Sequence, residues 1–298
     1  MDTRRLAFLL ELSRLGSMRE VADELGTTTS TVSQQIAVLA KEVGAALVEP
    51  DGRRVRLTPA GRRLAEHAVT ILAAVEAAQG DLDPSAEPAG TLRVGGFASA
   101  IRRVLLPIVR QLGQDHPRVR VLIHEYEPLE ALGMVTADEI DLALVYDYNL
   151  APRPKDPASQ WIPLWTTPWA VAVPEALAGA ARTSAPATLK ALADQPWIVN
   201  SRNTADEDAV RTLASMAGFE PRISHQVDSL GLVQELLLAG QGIGLLPVDH
   251  PVRAGVRLLP LRDPGVILRA YAVTRAGRSE WPPLALLLSL LVSGQTTH

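Results

Sequence analysis

Residues 17–43 carry two helical patterns joined by only a few residues, and so short a connection leaves few ways to pack them. Ser17 is a suitable N-cap, with Glu20 three residues on in the capping-box position. The short helix that follows turns Val21, Ala22 and Leu25 inward and stops at Gly26. A polar run, Thr27–Thr31, then opens a longer helix to about Val43, with Val32, Ile36, Leu39 and Val43 along its buried side. Successive residues turn by about 100°, so Ser30, Thr31, Gln34, Ala37 and Val38 lie opposite that stripe. An earlier helix, marked by Leu6, Leu9, Leu10 and Leu12 and ended near Gly16, supplies a third packing face. This is the pattern of a helix-turn-helix. Gln can bond adenine bidentately, and Ser or Thr can reach base edges or phosphates. A polar helix start with ordinary caps fits the same residues.

The next segment favours the first reading. Ala46–Val48, a turn at Glu49-Pro50-Asp51-Gly52, and Arg53–Leu57 read as a β-hairpin with three Arg within four residues. A basic ribbon beside such a helix suits phosphate and minor-groove contact. Thr58-Pro59 then starts a helix to about Gln79. Its apolar side, Leu64, Ala68, Ile71, Leu72 and Val75, needs a partner, and a second copy of the chain would provide one.

Charge does not decide the matter. Residues 1–80 hold ten Lys/Arg and ten Asp/Glu, so a nucleic-acid reading rests on local arrangement alone. The absence of cysteine excludes disulfides, thiolate metal sites and a cysteine nucleophile, and fits a cytoplasmic protein. The most apolar run, Leu284–Val292, holds only nine residues, against the ~20 that span a bilayer, so no membrane partner is expected. No metal-ligand cluster, nucleophile–base pair or phosphate loop stands out, and the glycines of GQGIG (240–244) follow a helix instead of opening one. Neither an enzyme nor a metal or other cofactor is expected.

After a proline-containing connector at 81–90, strands and helices alternate. Thr91–Phe97, Val119–Tyr126, Leu142–Val145, Trp169–Val173, Trp197–Val199, Ile223–Val227 and Ile243–Leu246 read as strands. Crossing strands near Ile162–Thr166 and Ile267–Val273 would join two sheets into lobes with a cleft between them.

The run LGSMREVADELGTTTSTVSQQIAVLAKEVGAALVEPDGRRVRLTPAGRRL (15–64) resembles the N-terminal domain of LysR-type transcriptional regulators. The family's helix pair, its Ser-x-Gln-Ile segment (Ser33, Gln35, Ile36) and its wing ending in Leu-Thr-x-x-Gly (Leu57, Thr58, Gly61) occur in order. Leu92–Gly96, Asp141–Val145 and Ala239–Pro247 match common signatures of the effector domain, which is similar to periplasmic solute-binding proteins. The resemblance implies an α+β multidomain chain: a winged helix-turn-helix over 1–58, a dimerising linker helix over 59–80, the connector over 81–90 and a two-lobed α/β effector domain over 91–298. Lobe I would be about 91–165 and 267–298, lobe II about 166–266. The chain departs from the pattern at Gln34, where the family usually has Arg, and at Leu47-Val48-Glu49-Pro50, where it usually has Leu-Phe-x-Arg. Two cations near DNA are thereby missing.

The expected function is sequence-specific transcriptional regulation, as a homodimer or homotetramer on an interrupted inverted repeat of double-stranded DNA, with RNA polymerase as a further partner. The expected DNA-contacting residues are Thr28, Thr29, Ser30, Thr31, Ser33 and Gln34, with Arg53 and Arg54 in the wing. The resemblance assigns effector binding to Ser99, Ala100, Tyr146, Asn149, Ser201, Arg202, Asn203, Thr204 and Ser229. Ser99-Ala100 and Ser201–Thr204 each precede a helix, offer free N–H groups, include Arg202 and contain no acid, which points to a small organic anion such as a carboxylate. The alternatives are a ligand-independent or partner-dependent regulator and, less favoured, a solute-binding or enzyme module.

Overall fold

The computed structural model describes residues 1–51, 54–82, 87–202 and 204–294. Its N-terminal part is built from α1 (Thr3–Leu15), α2 (Met18–Glu24), α3 (Thr29–Val43), the hairpin β1 (Val48–Asp51) and β2 (Arg54–Leu57), and α4 (Pro59–Leu82). Local chemistry sets the boundaries. The Asp2, Ser17 and Thr28 side chains accept backbone N–H bonds as N-caps, and Gly16 and Gly44 close α1 and α3 in the left-handed region. Val32, Ile36 and Leu39 pack with Leu6, Leu9 and Val21 in one core. Leu25, expected inside, is 39% exposed, because α2 ends one residue before it.

The hairpin continues through the residues expected to form a turn. Glu49 pairs with Arg56 and Asp51 with Arg54, so only residues 52 and 53 connect the strands. Thr58 then fixes the start of α4: its hydroxyl donates to the Ala46 carbonyl at 2.6 Å and accepts from the Gly61 N–H at 3.0 Å. A Cβ on Gly61 would lie 2.1 Å from the Leu47 carbonyl oxygen, so only glycine lets α4 approach the hairpin this closely.

The apolar side of α4 has a partner within its own chain, which corrects the premise that it lacks one. Leu64, Ile71 and Leu72 pack on the N-terminal core, Ala68 is fully buried in it, and α1 is the principal neighbour. Further along, Ala73 joins the core of the following domain and the Thr70 hydroxyl donates to the Ala276 carbonyl at 3.4 Å. Val75 belongs to neither core.

The second part comprises β3 (Gly90–Gly96), α5 (Ala98–Ala100), α6 (Leu106–Asp115), β4 (Val119–Glu125), α7 (Pro128–Thr136), β5 (Leu142–Tyr148) and β6 (Ser159–Pro174). It continues with α8 (Ala185–Lys190), β7 (Pro196–Val199), α9 (Ala205–Ala217), β8 (Arg222–Gln226), α10 (Leu230–Leu238), β9 (Ile243–Pro247), β10 (Val256–Pro260), β11 (Val266–Arg275) and α11 (Pro282–Ser293). A single wide-pitched stretch, Ile101–Leu105, joins α5 to α6.

In place of the two expected sheets this part forms one among the described residues, in the order β4-β3-β5-β11-β6-β9-β7-β8, with β10 also on β6. The reason is the length of β6. Its first half pairs with β11, as in Trp161 with Val273, and its second half with β9 and β10, as in Ala172 with Gly244 and Leu258. The strand therefore belongs to both lobes. β3, β4 and β5 run parallel in lobe I, and β7, β8 and β9 run parallel in lobe II. Residues just beyond their carboxyl ends meet across the gap, where open α/β sheets present ligand sites. No helix among the described residues is long and apolar enough to cross a membrane.

Candidate functional site

The exposed side of α3 offers polar groups of two kinds. The Thr28 hydroxyl bonds the Ser30 hydroxyl at 2.8 Å and the Thr31 hydroxyl at 2.9 Å while accepting from the Thr31 N–H, so these three hydroxyls hold the helix start together. Thr29, Ser33 and Gln34 are exposed, and their side chains make no hydrogen bond among the described residues. Gln35, by contrast, accepts from Arg5 Nε at 3.1 Å. In the wing, Arg56 pairs with Glu49 at 3.0 Å, so the segment that lacks a family cation also neutralises a neighbouring one. Arg53 and Asn203 lie outside the described residues, as does the Arg54 side chain.

Between the lobes stands a clasp of carboxyl groups around one cation. Arg202, on the loop after β7, reaches Asp228 at 3.1 Å, Glu125 at 3.3 Å, Glu130 at 3.5 Å and Glu127 at 4.0 Å. The three glutamates belong to lobe I, so the contact spans the cleft. Ser201 gives both its N–H and its hydroxyl to Asp228. The donors expected to hold an anion are thus consumed inside the protein, and acids from β4, α7 and the loop after β8 surround them. The case for an organic anion at Ser201–Thr204 loses its physical basis.

Two of the acids here are buried, Glu127 of the clasp and Asp206 behind it. The Tyr146 hydroxyl donates to Glu127 at 3.2 Å, the Tyr148 hydroxyl donates to Asp206 at 2.8 Å, and Asn200 donates to the Tyr146 oxygen at 3.3 Å. Burial, reinforced by the Asp228 charge, pushes the Glu127 carboxyl up to about 7 against the pull of Tyr146 and Arg202. Burial and the charges of Glu127 and Asp228 likewise push Asp206 up to about 7. Asp228 is also partly buried, yet the bonds from Ser201 and Arg202 outweigh that and hold it below its ordinary value.

Next to this network is a slot of 190 Å³ lined by Phe97, Ser99, Trp165, Thr167, Trp169 and His250, among others. Phe97 meets Tyr146 edge-on at 4.8 Å, and Tyr148 meets Trp169 at 5.4 Å, so rings separate the slot from the acids. Trp165 forms part of the slot wall and leaves the cleft open; Trp197 is fully buried in the core. At the mouth Arg103 pairs with Asp249 at 2.9 Å across the lobes.

The other expected effector residues have local duties. Ala100 is fully buried. The Asn149 amide donates to the Gly265 carbonyl and accepts from the Ile267 N–H, bracing β11. Thr204 donates to Asp208, and Ser229 caps α10 by accepting from the Leu232 N–H. Of the nine, Ser99, Tyr146, Ser201 and Arg202 are brought to the cleft region. Sequence reasoning missed Glu125, Glu127, Glu130, Asp206, Asp228, Thr167 and Trp169. The acidic spacing of Glu125-Tyr126-Glu127-Pro128-Leu129-Glu130 at a helix start is the visible signal.

Residues 3–62 match the model of the bacterial regulatory helix-turn-helix protein, lysR family, and residues 85–295 match the LysR substrate binding domain. The chain is 28% identical over 249 residues to the transcriptional dual regulator GltC of Bacillus subtilis (strain 168), spanning 83% of this chain and 81% of GltC. It is 26% identical over 302 residues to the DNA-binding transcriptional dual regulator OxyR of Escherichia coli (strain K12), spanning 99% of this chain and 97% of OxyR. A full-length OxyR variant from Pseudomonas aeruginosa is similar in structure, with a TM-score of 0.73 at 18% identity over 100% of this chain and 95% of that one.

Proposed function

We propose a function from one premise: the chain belongs to the LysR family of bacterial helix-turn-helix regulators. It is a DNA-binding transcriptional regulator with an effector-binding domain, and regulators of this type bind DNA and small-molecule effectors and act as oligomers. On this chain we assign base reading to Thr29, Ser33 and Gln34, whose side chains are exposed and make no hydrogen bond among the described residues, and phosphate anchoring to the wing around Arg53 and Arg54. That free polar side of α3 is the observation that carries the reading. The effector enters the cleft between the lobes, at the slot beside Ser99. We read the cleft as a binding site and the chain as no enzyme, because its buried carboxyls face tyrosines and Arg202 instead of a nucleophile. The chain acts on DNA, hence in the cytoplasm. It contains no cysteine, so its own side chains offer no thiol chemistry.

A partner-dependent form of this reading draws on the wing. With Arg56 paired to Glu49, fewer cations remain to displace counterions from DNA, and a second protein would supply the missing affinity.

Fluorescence anisotropy with duplexes from the chain's own upstream region tests the assignment. Gln34→Ala should weaken the preferred duplex by about 1–3 kcal/mol and relax preference at one base pair, with little effect on scrambled DNA. An equal loss on both duplexes would remove α3 from the reading role.

A further inference from the structure

The reading of the cleft as the effector site leaves open what kind of molecule enters it, and the slot beside Ser99 narrows that choice. Its volume is 190 Å³. A dry cavity of about 150 Å³ is enough to hold benzene, so the slot suits one ring with a small substituent. Phe97, Trp165 and Trp169 supply the aromatic walls such a ring packs against.

Two groups in those walls lack partners. Thr167 is 6% exposed, and its hydroxyl makes no hydrogen bond among the described residues. The Trp169 indole N–H is buried and likewise donates to nothing among them. Ser99 adds a second hydroxyl that makes no hydrogen bond among the described residues. The Thr167 and Ser99 hydroxyls are open to the slot, and an oxygen acceptor on the ring would bond them.

Charge settles the remaining choice. The slot's cation, Arg103, is paired with Asp249 at 2.9 Å and lies 5.9 Å from the Trp165 ring centroid. That pair occupies both charges, and His250 beside it is the wall's remaining titratable side chain. The neighbouring clasp sets Glu125, Glu127, Glu130 and Asp228 against Arg202 alone, so a carboxylate would enter a site whose cations are already paired and whose neighbours include several acids. We infer that the slot binds an uncharged, single-ring molecule carrying a hydrogen-bond-accepting oxygen, held by Thr167 and Ser99 between Phe97 and Trp165.

Three probes of one size separate the possibilities: benzamide, benzoate and benzylammonium, titrated against the full chain while intrinsic tryptophan fluorescence is followed. Benzamide should quench with a millimolar dissociation constant and bind roughly tenfold tighter than either charged probe. Thr167→Val should weaken benzamide roughly tenfold while leaving the melting temperature of the unliganded protein unchanged. Ser99→Ala, at a more open position, serves as a second variant and should weaken it as well. Benzoate binding as tightly as benzamide would overturn the inference, as would benzamide binding that neither substitution alters. Binding to the upstream duplex is measured on the same preparations. DNA binding intact with no benzamide binding overturns the ligand class alone, whereas a chain that binds no DNA overturns the regulator reading.

Discussion

Asp141→Ala should destabilise the effector domain by about 3–5 kcal/mol, because it strips the partner from buried cations. The Asp141 side chain is 1% exposed, and its two oxygens accept from the Arg93 N–H at 2.8 Å, Arg93 Nε at 3.1 Å, Arg93 Nη2 at 2.8 Å and Arg278 Nη2 at 3.4 Å. Burial alone would raise this carboxyl, but Arg93 and Arg278 outweigh it and hold the group below its ordinary value. The loss should also loosen the seat of the linker. Arg278 lies 4.2 Å from the Trp281 ring, and Ala276, two residues before it, accepts from Thr70 of α4. Urea unfolding of the variant checks this; a loss below about 1 kcal/mol would place Asp141 among the surface ion pairs of small effect.

The second large effect concerns pH. Glu127 and Asp206 have carboxyls pushed up to about 7 in the folded chain, from ordinary values of 4.5 and 3.8. The folded state therefore keeps protons that the unfolded chain has already released. The stability these neutral acids contribute is fully present below the ordinary carboxylate range and is lost as pH rises through about 7. Over that whole window the loss is on the order of 3 kcal/mol for each group. The Glu127 charge acts on Asp206, so the two titrate as a coupled pair. Asp141 and Asp228, both lowered, contribute in the opposite sense and only at acid pH. Melting temperature should then fall between pH 5 and pH 8, and Asp206→Asn with Glu127→Gln should flatten the fall and raise stability at pH 8. Stability rising over this interval, or an unchanged slope in the double variant, would contradict the burial of these acids.

What can be read along the chain is local. Ser17 with Glu20, the Val32-Ile36-Leu39 stripe and Thr58 before Pro59 each act within one or two turns, and each appears in the structure as a cap or a core face. The long strand β6 reads as two pieces in the sequence, because Thr166, Thr167 and Pro168 interrupt its apolar pattern where it passes from one lobe to the other. The clasp is invisible for a different reason. Arg202 meets Glu125 and Glu130 at separations of 77 and 72 residues, and nothing near Ser201–Thr204 announces them. An acid-free segment resembles an anion site only because its acids come from elsewhere in the chain. The stripe of α4 misleads similarly: α1 folds back over it, and periodicity alone does not say which element will cover a face.

Transcriptional control requires sequence-specific recognition of DNA, which we propose for α3 and the wing. The most direct measurement is selection of duplexes from a random pool by the full chain, followed by sequencing of what is retained at physiological salt. The bound fraction should converge on an interrupted inverted repeat, with half-sites spaced by about one helical turn or a multiple of it, as two copies of α3 require. Retained sequences indistinguishable from the starting pool, or a lone half-site without its mirror, would contradict it.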